Sequence, residues 1–206
     1  MSLAGNLSDG LTRLGLALTD VQQRLLLDYI ASLQKWNKVY NLTAVREPEN
    51  MLYQHLLDSL AVLPHIGAGR LLDVGTGGGV PGIVLAIARP ELDITLLDSN
   101  QKKTTFLRQA CIELGLKNVK VECLRVDDYQ PAPAFDMVIS RAFSELGEFV
   151  RLSARLCRPG GILLAMKGVY PHDELAQLPT QFLRHEVVPL SVPGLDAQRH
   201  LVILKV

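Results

Sequence analysis

The sequence predicts an α/β fold built on a mostly parallel sheet, preceded by a helical segment. Three observations predict it. A glycine-rich turn joins an apolar strand-like run to a helix-like segment in residues 70–88, strand-like and helix-like segments alternate after it, and two strand-like segments around a Pro-Gly turn end the chain. A chain of 206 residues, 48% of them hydrophobic, can form one α/β core with a modest extension.

The charge balance limits the classes of partner. Lys plus Arg and Asp plus Glu each number 21, so the formal net charge is zero. A polyanion would therefore have to bind at a local basic patch. Cys111, Cys123 and Cys157 fit neither a zinc site nor a disulfide framework in their spacing, and the N-terminus has no signal-peptide pattern. We expect a cytoplasmic monomer with no metal and no membrane association.

The part before the glycine turn is predicted to be helical. We expect residues 1–66 to form a helical cap and residues 67–206 to form the α/β domain, packed as one compact unit. Residues 1–18 are weakly patterned, and we expect them to fray. Thr19 and Gln22 have the spacing of a capping box, which would begin a helix that ends near Asn37. One face of this helix carries an apolar stripe that would pack on the rest of the protein.

A second cap helix is predicted from Pro48 to Leu63. The loop between the two helices reads KWNKVYNLTAVRE and is poor in charge for a loop. Its residues Asn41 and Thr43 either line a functional site or satisfy local backbone groups as ordinary turn residues. The loop pattern alone does not separate these two interpretations.

After the glycine turn, strands and helices alternate, which predicts parallel strands joined by right-handed crossovers. Strands are expected at residues 93–98, 118–124, 135–139 and 162–166, and helices from 99 or 100 to 114 and from 144 to 157. The last two strands, 183–190 and 200–206, flank Pro193-Gly194 and should form an antiparallel hairpin. Pro189 places the first of these two strands at an edge of the sheet.

The glycine turn indicates a nucleotide-type ligand. Gly77-x-Gly79-x-x-Gly82 satisfies a dinucleotide fingerprint, which by itself is a weak signal. Asp73 stands two residues before Gly75, and its charge would repel a pyrophosphate but can receive an ammonium group, directly or through water. The whole string, with Thr76, resembles motif I of class I S-adenosylmethionine-dependent methyltransferases. A tight turn without a ligand is the remaining alternative.

This resemblance implies a Rossmann-like, seven-stranded sheet in the order 3-2-1-4-5-7-6, with S-adenosylmethionine at the carboxyl ends of the strands. Asp98 ends the second strand, 23 positions after Gly75, where an acid can accept hydrogen bonds from ribose hydroxyls. Val126 and Asp127 follow the third strand, where they could flank and fix an adenine. An ordinary polar loop is the competing interpretation of that segment.

The residues at the end of the predicted fourth strand limit the kinds of atom that could accept a methyl group. They read Ser140-Arg141-Ala142-Phe143 and lack the (Asn/Asp)-Pro-Pro-aromatic motif of amino-methylating enzymes. The three cysteines fall on predicted helices and strands rather than in a site loop, which disfavours a thiolate nucleophile. A ring nitrogen with its own lone pair, such as guanine N7, needs only positioning.

Several motifs in the same order resemble one family. They are NLTA, HLLDS, DVGTGGGVPG, LLDS, FDMVISRAF and RHLVILK, and they run from about Leu18 to the C-terminus. They resemble the RsmG (GidB) family of guanine-N7 methyltransferases of bacterial 16S ribosomal RNA. The resemblance implies cofactor contacts from Gly75, Val80, Val126, Asp127 and Arg141. Asp127 stands where the family usually has Glu, and Ala197-Gln198 replace Gly-Glu before Arg199.

The resemblance makes 16S ribosomal RNA, or the small ribosomal subunit, the expected partner. Arg141, beside the expected transfer point, is the catalytic candidate. The candidates for RNA binding are Asn41, Arg125, Lys167, Arg199 and His200, with Lys102 and Lys103 extending a basic patch. Three alternatives stay open. The protein could be a methyltransferase that acts on another RNA, on a protein or on a small molecule. It could also be a nicotinamide-dependent oxidoreductase, or a nucleotide sensor without enzymatic activity.

Overall fold

The fold is organised around a seven-stranded sheet. A computed structural model of the chain describes residues 2–141, 143, 145–182 and 185–206. The strand order is β3-β2-β1-β4-β5-β7-β6, which confirms the order that the resemblance implied. The strands are β1 (Arg70–Val74), β2 (Asp93–Leu97), β3 (Val119–Glu122), β4 (Phe135–Ser140), β5 (Cys157–Lys167), β6 (His185–Pro189) and β7 (His200–Lys205).

The strand directions agree with the sequence pattern. β1 to β5 pair in parallel, and β7 runs antiparallel to both β5 and β6. β6 is an edge strand, which accommodates Pro189 at its end. Neighbouring residues of β1 face opposite sides of the sheet, so Leu71 and Leu72 belong to two different apolar clusters. The sheet therefore separates two cores, as expected for helices on both of its faces.

The helices differ from the prediction mainly at their boundaries. They are α1 (Leu3–Leu14), α2 (Asp20–Tyr40), α3 (Pro48–Met51), α4 (Asp58–Leu60), α5 (Gly82–Ala88), α6 (Gln101–Glu113), α7 (Leu146–Ser153) and α8 (His172–Ala176). No helix in the described part of the chain is long and apolar enough to span a membrane.

The expectation that residues 1–18 fray is wrong, because α1 is an ordered helix. The Ser2 hydroxyl caps it by accepting a hydrogen bond from the Gly5 N–H at 3.1 Å, and Leu7 and Leu11 are buried in the core. A Cβ atom at Gly10 would lie 2.5 Å from a methyl group of Leu57. Glycine therefore lowers the intrinsic helix propensity here but allows close packing, and the packing decides the structure.

The second cap helix is interrupted. It is predicted as one helix from Pro48 to Leu63, but a π-helical segment, Leu52–Leu57, lies between α3 and α4, and α4 ends at Leu60. The capping box of α2 is confirmed, since Thr19 and Gln22 exchange hydrogen bonds. α2 ends at Tyr40 rather than near Asn37.

Two later boundaries also differ. β5 begins at Cys157, five residues before the predicted start, because the segment through Pro159 and Gly160 is part of the strand. α7 occupies Leu146–Ser153 instead of residues 144–157, and a 3₁₀ turn follows it at Ala154–Leu156. The predicted helix start at Ser144 and the predicted strand start at Leu183 lie outside the described residues.

Candidate active site

The glycine turn leaves β1 in a conformation that needs glycine. Gly75, Gly77 and Gly79 have φ angles of 68°, 60° and 100°, in the left-handed region that side chains rarely adopt. The Gly75 N–H donates to the Leu97 carbonyl of β2 at 2.8 Å, and the Tyr29 hydroxyl of α2 donates to the Gly78 carbonyl at 2.6 Å. The helical cap therefore helps to hold the turn in place.

Asp73 stabilises the glycine turn through hydrogen bonds to Thr76 and Gly82. Its Oδ2 accepts hydrogen bonds from the Thr76 hydroxyl at 2.6 Å and from the Gly82 N–H at 2.8 Å. The carboxyl group is fully buried, and burial raises its pKa to about 6. Its Oδ1 has no hydrogen-bond partner among the described residues. The structure thus gives Asp73 a bracing role that the sequence did not reveal, and its predicted contact with an ammonium group stays a prediction.

A cleft of about 410 Å³, here called the strand-end cleft, lies at the ends of β1, β2 and β3. The predicted cofactor residues Gly75, Asp98, Val126 and Asp127 line it together. Asp98 connects this cleft to the glycine turn, because its Oδ2 accepts a hydrogen bond from the Gly77 N–H at 2.9 Å. The structure thus brings these four residues together, and their predicted contacts with a cofactor stay predictions.

A second cavity of about 240 Å³, the glycine-loop chamber, continues from this cleft and shares Gly75 and Lys103 with it. Thr76, Gly77 and Val80 line its floor. A Cβ atom built on Gly77 would meet only one atom within 4 Å, the Gly75 carbonyl oxygen at 3.9 Å. The absent side chain therefore leaves open space beside the turn, as a bound ligand requires.

A third cavity of about 410 Å³, the arginine chamber, shares Thr43, His55 and Arg141 with the glycine-loop chamber. Arg141, Lys167 and Arg199, three of the predicted basic residues, line it together. The three cavities thus form a series, and Arg141 lies at the point where the second meets the third.

Asp58, at the base of the arginine chamber, holds both arginines. The Arg199 Nε donates to its Oδ1 at 2.9 Å, and the Arg141 Nη1 lies 3.6 Å from its Oδ2. Arg141 Nη1 also donates to the Gln54 carbonyl in the π-helical segment at 2.8 Å. Burial raises the pKa of Asp58, while the two guanidinium groups act in the opposite direction. The pairing fixes two cations without leaving two uncompensated charges.

His55 joins this network to the loop of the cap. Its Nε2 lies 2.9 Å from the Thr43 Oγ1, and its Nδ1 lies 3.4 Å from the Arg141 Nη1. Burial and the charge of Arg141 lower the pKa of His55 to about 4, against a weaker opposite effect of the Gln54 carbonyl. The imidazole is therefore neutral at pH 7.

The predicted RNA-binding residues do not all lie together. Arg125 lines the strand-end cleft, 3.6 Å from Asp127, rather than the arginine chamber. Lys103 also lies there, and Lys102 is exposed in the first turn of α6. The basic residues therefore lie in separate places rather than in the single patch expected from the sequence. The sequence shows which residues follow strands, but it does not show which strand ends are neighbours in space.

The other candidates surround the arginine chamber or the end of α2. Lys167 forms an ion pair with Glu174 at 2.7 Å, and the His200 Nδ1 lies 2.8 Å from the Gly168 carbonyl oxygen. Asn41 is exposed and ends α2 with a φ of 49°, so it serves as a turn residue. Thr43 lines two cavities. Thr43 is thus placed as the site interpretation requires, while the predicted RNA contact of Asn41 stays a prediction.

Sequence reasoning missed His55, Asp58 and Tyr170. His55 and Asp58 are three residues apart in HLLDS, a spacing that places polar side chains on one helical face. Tyr170 is 39% exposed and contacts the rings of His172 and His200 at centroid distances of 4.3 and 5.6 Å. This aromatic cluster borders the arginine chamber through Gly168. An aromatic residue in a loop after a strand was the available signal.

Two features lie away from these cavities. Burial raises the pKa of the Cys111 and Cys157 thiols to about 11, so neither is a ready nucleophile at pH 7. Cys157 opens β5 rather than ending a helix, and Cys123 follows β3 instead of lying within it. A depression of about 470 Å³ beside α6 and β3 is lined by neither the glycine turn nor the strand-end acids.

Comparison with known proteins agrees with this geometry. The family model of GidB, the ribosomal RNA small subunit methyltransferase G, matches residues 22–202. The chain belongs to this family. The GidB-family protein of Nitrosospira multiformis is 55% identical over 100% of this chain and 98% of its own length, and that of Laribacter hongkongensis is 57% identical over 99% of each chain. Both carry the name ribosomal RNA small subunit methyltransferase G.

Solved structures show that this GidB-family chain has the fold of S-adenosylmethionine-dependent methyltransferases. One such methyltransferase from Aquifex aeolicus has a TM-score of 0.59 and 19% identity, covering 84% of this chain and 98% of that chain. TrmN from Thermus thermophilus has a TM-score of 0.58 and 21% identity, covering 72% of this chain and 48% of that chain. The class I fold predicted from the glycine turn is confirmed.

Proposed function

We propose that this protein transfers a methyl group from S-adenosylmethionine to N7 of a guanine in the 16S ribosomal RNA of the small ribosomal subunit. The observation that carries the proposal is the series of three adjoining cavities in a GidB-family chain, with Arg141 at the point where the second cavity meets the third. We also propose that the protein acts as a monomer. A small-subunit substrate would be met in the cytoplasm, where we expect the protein to act.

The residues of the first two cavities fit S-adenosylmethionine. Asp98 offers a carboxylate to ribose hydroxyls, and Val126 with Asp127 offers an apolar face and an acceptor to the adenine. The open space beside Gly77 leaves room for the methionine portion. The buried Oδ1 of Asp73, which lacks a protein partner among the described residues, is an unused acceptor beneath the turn. When bound, S-adenosylmethionine supplies a methyl group activated by a sulfonium.

The reaction needs no proton transfer. The lone pair of guanine N7 forms the new N–C bond, the S–C bond breaks, and its electron pair stays on sulfur. The positive charge passes from sulfur to the base, so the total charge is unchanged. Because no proton leaves, no general base is required, and the neutral His55 is compatible with that demand. The protein contributes orientation and exclusion of water.

The arginine chamber fits a nucleotide of a folded RNA. Arg141 and Arg199 present guanidinium donors that can meet a phosphate or a base edge, while Asp58 keeps both in fixed positions. The exposed ring of Tyr170 at the border of the chamber offers a stacking face for a neighbouring base. These contacts would place N7 next to the glycine-loop chamber.

The deciding experiment maps N7-methylguanine in 16S ribosomal RNA from cells with and without this protein. We expect one site to lose its methyl group in the deletion strain and to regain it on complementation. An unchanged methylation map would overturn the proposal. In parallel, S-adenosylhomocysteine should raise the melting temperature of the purified protein and NADH should not. The reverse order would instead favour an oxidoreductase.

A further inference from the structure

Thr43 lies where the glycine-loop chamber meets the arginine chamber, and it lines both. Its Oγ1 lies 2.9 Å from the His55 Nε2 and 3.2 Å from the Val45 N–H. The Thr43 N–H is used separately, since it donates to the Asn37 Oδ1 at 2.9 Å. The hydroxyl group is thus held at the junction by His55 and Val45, while Asn37 holds the backbone of Thr43.

The surroundings of His55 determine the direction of its hydrogen bond to Thr43. Its Nδ1 lies 3.4 Å from the Arg141 Nη1, a permanent donor, and the tautomer that turns the Nδ1 lone pair toward Arg141 is favoured over one that would bring two N–H groups together. Burial and Arg141 keep the ring neutral at pH 7. A neutral imidazole with a bare Nδ1 carries its hydrogen on Nε2. His55 therefore donates to Thr43, and the Thr43 oxygen accepts.

The same oxygen also accepts from the Val45 N–H, so both of its lone pairs are occupied. The hydroxyl hydrogen remains. No acceptor for this hydrogen is recorded among the described residues, and the two chambers lie on the open side of Thr43. The arrangement makes Thr43 a group that can donate one hydrogen bond into the junction but cannot accept one.

We propose that the Thr43 hydroxyl donates a hydrogen bond to O6 of the target guanine and so selects guanine over adenine. This inference rests on the proposed function and deepens it. On the edge that carries N7, guanine presents an acceptor at O6, whereas adenine presents an amino donor at the corresponding position. A hydroxyl group whose lone pairs are already occupied can donate to O6 of guanine, but it cannot accept a hydrogen bond from the amino group of adenine. His55 is then a positioning residue that fixes the polarity of Thr43.

The test compares two variants on two substrates. Thr43→Val keeps the shape but removes the hydroxyl, and Thr43→Ser keeps the hydroxyl. After the target guanine has been mapped, small-subunit particles are assembled from ribosomal RNA in which 2-aminopurine, which retains N7 but lacks O6, replaces that guanine. Single-turnover methylation rates are measured for each pair. The reactivity of N7 itself cancels when the ratio of the two substrates is compared between enzymes.

We expect the wild type and Thr43→Ser to methylate guanine at least about fivefold faster than 2-aminopurine, the size of one ordinary hydrogen bond. Thr43→Val should be slower on guanine and should have lost most of this preference. A Thr43→Val variant that keeps the full wild-type preference would overturn the inference. If the mapping experiment finds no methylated guanine, the proposed function itself fails, which is a distinguishable result.

Two further measurements exclude other roles of Thr43. The hydroxyl could instead donate to the carboxylate of S-adenosylmethionine, so the affinity of each variant for S-adenosylhomocysteine is measured by calorimetry. We expect less than a twofold change, and a loss of tenfold or more in Thr43→Val alone would assign the hydroxyl to the cofactor and overturn the proposal. Melting temperatures show whether Thr43→Val is folded, and Thr43→Ala provides a second hydroxyl-free variant should it not be.

Discussion

Arg199 and the buried Asp58 are 141 residues apart in the chain, yet the Arg199 Nε donates to the Asp58 Oδ1 at 2.9 Å. The same carboxylate lies 3.6 Å from Arg141. One carboxylate thus pairs with two guanidinium groups, one at the end of β4 and one at the end of the loop before β7. The three side chains together keep a net positive charge. A phosphate group would meet fixed donors whose mutual repulsion is already reduced.

This relationship predicts a separation of binding from turnover in Asp58→Asn. The substitution keeps the shape but removes the anion, so the local positive charge rises while the arginines lose their fixed positions. We expect RNA to bind as tightly as to the wild type or more tightly, and kcat to fall by about tenfold or more. Filter binding and single-turnover methylation of small-subunit particles measure the two quantities. A fall in affinity with unchanged kcat would contradict the interpretation.

In our interpretation, Arg141 lies beside the point at which the methyl group is transferred. Arg141→Ala should lower the methylation rate by at least about tenfold, equivalent to ~1.4 kcal/mol of transition-state stabilisation. Arg141→Lys should restore only part of the rate, because the Arg141 Nη1 alone contacts the Gln54 carbonyl and Asp58, and an ammonium group that took over those contacts would offer the substrate no further planar donors. Melting curves of both variants serve as the control for folding. A wild-type rate in Arg141→Ala would remove this residue from the site.

The sheet could be predicted because its signals are local. The apolar strand runs and the closing hairpin appear in a few consecutive residues each, and the glycines of the turn are required by positive φ angles. The strand order came from the resemblance rather than from these patterns. The ordered α1 was missed because its stability comes from Leu7 and Leu11 packing in the core, which the weak propensity of Gly5 and Gly10 conceals.

The site could be predicted mainly where its residues belong to the glycine turn or lie next to the ends of predicted strands. Asp98 and Arg141 were found in this way. His55 was not, because its function depends on a π-helical segment and on Thr43, twelve positions earlier in the chain. Arg125 was assigned to RNA because charge alone does not show which end of the site a side chain faces. Contacts between distant segments are not visible in the periodicity of either segment.

Tyr170 should contribute to substrate binding rather than to turnover. Tyr170→Ala removes the exposed ring beside His200, and loss of one stacked base costs about 1–3 kcal/mol, so KM for small-subunit particles should rise by about fivefold or more. Tyr170→Phe should behave like the wild type. Ile112→Ala, which alters an exposed apolar side chain beside the depression at α6, is the control. An unchanged KM in Tyr170→Ala would exclude the stacking role.

Asp73 should give the stability of the protein a distinctive pH dependence. Folding raises its pKa from 3.8 to about 6, so its contribution to stability is present below about pH 3.8 and is lost as the pH rises through about 6. Asp73→Asn lacks this loss. The difference in unfolding free energy between variant and wild type should therefore shift in favour of the variant by on the order of 2 kcal/mol between pH 4 and pH 7. Urea unfolding of both proteins across that pH range measures this difference. If the unfolding free energies of variant and wild type change with pH in the same way, the raised pKa of Asp73 is contradicted.

Gly77 offers a test of the turn with a matched control elsewhere in the chain. Gly77 and Gly115 have similar φ angles, 60° and 66°, and a Cβ atom at either position would meet little or no protein. Gly77→Ala and Gly115→Ala should therefore carry a similar backbone cost of about 1 kcal/mol. Only Gly77 lines the glycine-loop chamber, so its methyl group would enter the space reserved for the ligand. Calorimetry should show S-adenosylhomocysteine binding at least about tenfold weaker for Gly77→Ala and unchanged for Gly115→Ala. Equal affinities would mean that the turn does not hold the cofactor where the cavities indicate.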